Sequence, residues 1–203
     1  MVFSGKNVEL SERSSISKYI DPGIHEIMIV SMEIMEASTG SKRVKFNVEG
    51  APVNDPKFEG IDGAKGPVGR VKSSYLKTEE QQLEFIKDMK SIASKIGAED
   101  AFNEIEAPNF DEYLTKFVNS GVLCGKFFRW IITGEEYKND GKSRWNLSYA
   151  RYKHCESISI PIESSRLKWI PKYHEKRMDS TPISSLMEGP KVSETKKTDD
   201  LPF

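Results

Sequence analysis

Apolar and polar residues alternate over long stretches of this chain, and their period changes from two to about 3.6 and back again. PGIHEIMIVSMEIMEA (22–37) puts Met28, Val30, Met32 and Ile34 on one face and Ile27 and Ile29 on the other. That pattern predicts a long strand buried on both sides at its start. After the turn-like STGS (38–41), KRVKFNVEG (42–50) alternates Val44, Phe46 and Val48 with Arg43, Lys45 and Asn47, so the two segments read as a hairpin. Residues 51–69 hold three prolines and four glycines and read as a long mobile loop. GRVKSSYL (69–76) resumes a strand, with Arg70, Lys72 and Ser74 opposite Val71 and Tyr75.

The period then lengthens. Thr78 with Gln81 forms a capping box, Leu83, Phe85, Ile86, Met89, Ile92, Ala93 and Ile96 form an apolar stripe, and Gly97 ends the helix. A second helix over 110–121 takes Asn109 as its cap and buries Tyr113, Leu114, Phe117 and Val118. Period two returns in 122–137 and 143–152, joined through Asp140-Gly141, a hairpin signal. A short edge strand is expected within 158–173, limited by Pro161 and Pro171. Three strands, helices, then two strands describe a mainly β protein with a helical insert. The count and order match the five-stranded OB-fold barrel, with helices between strands three and four. The chain divides into an arm (1–21), the barrel domain (22–177, with the loop 51–69 and the insert 78–121) and a disordered acidic tail (178–203) poor in aromatics.

Composition adds three constraints. No apolar run is long enough to cross a bilayer and no signal-peptide core is present, so a cytoplasmic protein is expected. The only two cysteines, Cys124 and Cys155, imply no disulfide framework. Net charge is only −1, yet it is unevenly placed: +3 over 42–76, −5 over 77–117, +6 over 122–177 and −2 from Met178 onward. Two basic segments flanking an acidic one suit a single anion-binding surface.

Cations and aromatic rings interleave on the strands of those basic segments. Arg43 and Lys45 lie on strand two, Arg70 and Lys72 on strand three, Lys126, Phe128, Arg129 and Trp130 on strand four, and Trp145, Tyr149 and Arg151 on strand five. Single-stranded nucleic acid demands this mixture: phosphates take cations that displace counterions, and unpaired bases take flat apolar faces. The expected phosphate contacts are Arg43, Lys45, Arg70, Lys72, Lys126 and Arg129; the expected stacking rings are Phe128, Trp130, Trp145 and Tyr149. Alternation wets only one face of a strand, so some of these rings belong to the core. Two other chemistries fit less well. Cys124, His154, Cys155 and His174 lack the close ligand pairs of structural zinc, and a buried Cys124 with surface histidines is the plainer reading. Glu136-Tyr137-Lys138 with Asp111 upstream echoes a metal-dependent nuclease pattern, but Lys138 falls beside a hairpin tip rather than on a rigid strand. No P-loop, dinucleotide fingerprint or Ser/His/Asp grouping occurs. A non-enzymatic protein without cofactor or metal is expected; a phage recombination nuclease and a scaffold that does not bind DNA are the alternatives.

The Pro22-Gly23-Ile24-His25-Glu26 opening of strand one, the strand order and the closing Asp199-Asp200-Leu201-Pro202-Phe203 resemble bacteriophage single-stranded DNA-binding proteins. The last five residues are similar to the acidic tip of the bacterial single-stranded DNA-binding proteins, with Leu201 in place of isoleucine. The resemblance implies a protein that coats single-stranded DNA in replication, recombination and repair. It also implies that the tip recruits replication proteins, Phe203 entering a pocket and Asp199 and Asp200 meeting basic residues around it. The insert 78–121 and the loop 51–69 exceed the bacterial pattern, so tetrameric assembly does not carry over and the oligomeric state stays open.

Overall fold

The computed structural model describes residues 19–51, 66–150 and 154–178. The expected tail beyond Met178 with its tip, most of the N-terminal arm, most of the 51–69 loop, and Arg151 lie outside the described residues. In chain order the elements are β1 (Gly23–Glu36), β2 (Lys42–Gly50), β3 (Val68–Lys72), α1 (Glu79–Lys95), α2 (Glu99–Asn103), α3 (Phe110–Ser120), β4 (Phe127–Asn139), β5 (Lys142–Tyr149), β6 (Cys155–Glu156), α4 (Pro171–His174) and β7 (Glu175–Lys176). No helix among the described residues is long and apolar enough to cross a membrane.

The protein is mainly β, and five of its strands close into a ring. β1 pairs antiparallel with β2 and β2 with β3; β3 runs parallel to β5 through Val71–Leu147 and Lys72–Ser148; β5 pairs antiparallel with β4; and β4 returns to β1. Closure depends on the length of β1. Its first part, Gly23 to Met28, lies against β4, while Ile27 to Glu36 lies against β2. A register shift between Ile29 and Ser31 lets it serve both neighbours. This corrects the face assignment read from period two. Ile27 and Ile29 point into the ring, Val30 is 51% exposed, and beyond it Met32 turns inward. An inserted residue advances the alternation by one step, so Val30 leaves the apolar face it would occupy in a regular strand.

The Asp140-Gly141 hairpin forms as expected, with φ of 52° and 72° at the two residues, the left-handed pair that a two-residue turn between twisted strands requires. The predicted caps form as well. Thr78 and Gln81 cap α1 reciprocally, and Asn109 accepts from the Glu112 amide at 2.9 Å to start α3. Leu83, counted in the α1 stripe, is 50% exposed instead. At about 100° per residue it lies roughly 120° around the helix from the buried Met89.

Inside the ring, Trp130 meets Phe46 edge-on at 5.7 Å, Phe128 at 5.4 Å and Tyr149 face to face at 5.1 Å. The helices extend this core: Phe85 of α1 and Phe102 of α2 both pack edge-on against Phe117 of α3. Several boundaries differ from the expectation. The third strand ends at Lys72, and the fourth begins only at Phe127, because Gly125 (φ 82°) turns the chain after donating its amide to the Ile29 carbonyl at 3.0 Å. Within 158–173 no edge strand forms; a 3-10 turn (Ile162–Ser164) and α4 occupy it, each beginning at or beside a proline that removes a ladder donor. The edge pairings fall on either side, at β6 and β7, both against β4. At the N-terminal end Ile20 is buried and its amide donates to the Val68 carbonyl at 3.0 Å, so the arm ends earlier than residue 21.

Candidate nucleic-acid interface

With Val44, Phe46, Val48, Val71 and Leu147 pointing into the ring, alternation sends Arg43, Lys45 and Asn47 of β2, Arg70 and Lys72 of β3, and Asn146 and Ser148 of β5 to its outer surface. The register arranges them in rows. Glu33, Lys45, Lys72 and Ser148 lie opposite one another across β1, β2, β3 and β5; Ser31, Asn47 and Arg70 form the next row. Lys45 and Lys72 are thus directly opposed, a like-charge pairing that works against sheet stability. Burial lowers the affinity of the Lys72 amine for its proton, and the charges of Arg43, Lys45 and Arg70 lower it further, so these four cations act on one another at close range.

Polar neighbours hold the cluster in place. Lys72 Nζ donates to Asn146 Oδ1 at 2.9 Å, Lys45 Nζ pairs with Glu33 Oε2 at 2.5 Å, and Asn47 Nδ2 donates to Glu33 Oε1 at 2.7 Å and Ser31 Oγ at 2.8 Å. The Arg43 guanidinium lies over the Tyr75 ring, 4.7 Å from its centre, with Lys77 Nζ 5.8 Å away on the same ring. The surface therefore joins these four cations, with Lys77 beside them, to one half-buried aromatic ring. Sequence alternation placed Tyr75 on the inner face. Because β3 stops at Lys72 and Ser73 is bound to the Val44 amide at 2.9 Å, the ring instead comes out beside Arg43. Extending the β2–β3 register past Lys72 would have put Ser74, not Tyr75, opposite Arg43.

The other expected contacts lie elsewhere. Phe128 and Trp130 are fully buried, so neither has a face open to a base. Arg129 is 3% exposed and is bound to Glu26 at 2.8 Å, to the buried Glu156 at 3.4 Å and to the Ile160 carbonyl at 3.2 Å. Burial alone would raise the Glu156 carboxyl, but the Ser165 hydroxyl, the Arg166 amide and Arg129 hold it below the usual range. Lys126 is exposed and donates to the Ile96 carbonyl at 3.0 Å, at the C-terminal end of α1. Tyr149 is half-buried, one face covered by Trp130. Trp145 is half-buried at one end of the ring, over Gly134 (where a Cβ would fall 2.9 Å from Trp145 Cε3) and 5.3 Å from the Arg177 guanidinium.

Among the described residues no three His, Cys, Asp or Glu side chains gather as a metal-binding group. Asp111 is paired with Lys42 at 2.9 Å, while Glu136 accepts from the Ser143 hydroxyl and, at 3.3 Å, from the Met178 amide. His154 is not at the surface as expected: it is 1% exposed, packed 5.4 Å from the Tyr149 ring, with no hydrogen-bond partner on either nitrogen and Asp88 Oδ1 at 4.0 Å. Burial lowers its pKa to about 4. The folded value lies below the unfolded one, near 6.5, so the neutral ring supports folding above pH 6.5 and that support is lost as pH falls toward 4. Between pH 7 and 4.5 the loss is about 2–3 kcal/mol, since each pKa unit is about 1.4 kcal/mol. Thermal melts across this range should show a shallower pH dependence for His154→Phe than for the wild type; equal slopes would refute the assignment.

Neither the protein-family models nor the curated proteins give a match to this chain.

Proposed function

We propose that this protein is an OB-fold that binds single-stranded DNA along the outer face of β2 and β3, without catalysing a reaction. Its strand order, closing from β4 to β1 with helices between β3 and β4, is that of the OB-fold, whose strand 2–3 face and adjoining loops take oligonucleotides. One observation carries the reading: Lys45 and Lys72 are opposed across neighbouring strands with Arg43 and Arg70 beside them. A folded sheet gains nothing from that arrangement, whereas a polyanion laid across it neutralises all four charges and releases its counterions. Tyr75, backed by Arg43, offers the ring on which a base stacks.

In this reading the protein serves phage DNA replication and recombination in the host cytoplasm, and Asp199 to Phe203 recruit replication proteins through a short acidic motif ending in an aromatic ring. The test is titration of end-labelled oligo-dT by fluorescence anisotropy at several salt concentrations, on the full chain and on a chain lacking 199–203. Counterion-releasing phosphate contacts at Arg43, Arg70 and Lys72 give a slope of log affinity against log salt of about −2, at roughly 0.7 per contact on a single strand, because Lys45 already has Glu33 as its anionic partner. Truncation should leave that slope unchanged. Salt-independent binding would refute the interface, and binding that collapses on truncation would refute the division of labour between ring and tip.

A further inference from the structure

Glu33 is an acid on β1 at the edge of the basic face. Its two carboxylate oxygens are taken by Lys45 Nζ at 2.5 Å and Asn47 Nδ2 at 2.7 Å, and the register places Arg70 next to Asn47 and Lys72 next to Lys45. Asn47 Nδ2 also donates to Ser31 Oγ at 2.8 Å, so both donors project from β2 and one of them is fixed against β1. A carboxylate and a phosphate ask for the same thing, cations and N–H donors converging on two oxygens. We propose that the Glu33 carboxylate occupies a site for a nucleic-acid backbone phosphate, and that DNA binds there by displacing it from Lys45. This rests on the reading of the β2–β3 face as the single-stranded DNA surface.

The tethered carboxylate sets a threshold. A free anion competes against a group held at high local concentration, whereas a polymer engages Arg43, Arg70 and Lys72 as well and gains from several contacts at once. Glu33 thereby makes the face select chains of phosphates over single anions. It also reduces the salt dependence of binding. Lys45 exchanges one anionic partner for another and releases no counterion, so in the wild type it adds nothing to the slope.

The expected result is a gain. Glu33→Gln keeps an oxygen for Asn47 but frees Lys45; it should tighten oligo-dT binding about tenfold at 50 mM salt and steepen the salt slope by about 0.7, one further phosphate contact. Partial unfolding cannot produce that gain. Glu80→Gln removes the same charge from α1 rather than from the sheet and should leave the slope unchanged. In a Lys45→Met background Glu33→Gln should also have no effect on the slope. The proposal is overturned if Glu33→Gln leaves the slope at the wild-type value, if Glu80→Gln steepens it equally, or if the change persists without Lys45. Ordinary salt-dependent binding by the wild type in those cases leaves the DNA-binding reading standing, whereas a wild-type chain that does not bind oligo-dT overturns both.

Discussion

Replacing Arg43, Lys45, Arg70 and Lys72 together by glutamine weakens oligo-dT binding by roughly three orders of magnitude at 50 mM salt and flattens the salt slope by about 2 units. Both figures follow from counterion release at about 0.7 per phosphate contact, a contribution that fades toward 1 M salt. The fold should tolerate the change. These side chains are outside the ring, and Lys45 and Lys72 oppose each other across β2 and β3. Removing a like-charge pair relieves the sheet rather than weakening it. The quadruple variant should therefore melt no lower than the wild type. A lower melting temperature would mean that the cations serve the fold, and an unchanged slope would place the DNA elsewhere. Lys126→Gln is the companion control: its amine is bound to the end of α1, so it should shift neither quantity appreciably.

Trp130→Ala should have the largest effect on stability of any single substitution in the ring. Trp130 is fully buried and touches Phe46, Phe128, Tyr149 and His154. Truncating a buried aromatic to alanine typically costs about 3–5 kcal/mol, part transfer free energy and part the cavity left behind. For a domain of this size that lowers the melting temperature by roughly 6–20 °C, at about 2–4 °C per kcal/mol. The same burial predicts that Trp130 does not report directly on bound bases. At low temperature, where the variant stays folded, oligo-dT affinity should remain within about twofold of the wild type. A selective loss of affinity without a loss of stability would restore Trp130 as a stacking residue.

How legible each part was depends on what fixes it. The helix caps at Thr78 and Asn109 and the Asp140-Gly141 turn are local, set by a few neighbouring residues, and sequence alone located them. The four cations on β2 and β3 were legible because alternation in β2 is regular and fixes which residues face outward. What was not legible depends on distant pairing. Val30 sits at a register shift between β1 and β2 that no local pattern announces, and one extra residue inverts the face of everything beyond it. On β4 both faces are covered, so its run of Phe128, Arg129 and Trp130 could not reveal that even the arginine is internal. Arg129 is inside because Glu26, before the register shift, and Glu156, on a two-residue strand, meet it there. Glu33, the acid among the cations, was legible only after the strands had been aligned.

The double use of β1 also governs the order in which the protein assembles. Its pairing with β2 joins neighbours in sequence, but its first part waits for β4, and the partners Gly23 and Ile132 are 109 residues apart. At translation rates of about 5–20 residues per second, this edge stays unpaired for roughly 5–20 s after it leaves the ribosome. The edge carries Ile24, Ile27 and Met28, and unpaired apolar strand edges are sites of misassociation. Ring closure is therefore a late, long-range event in synthesis, and the nascent chain is most in need of protection before β4 appears.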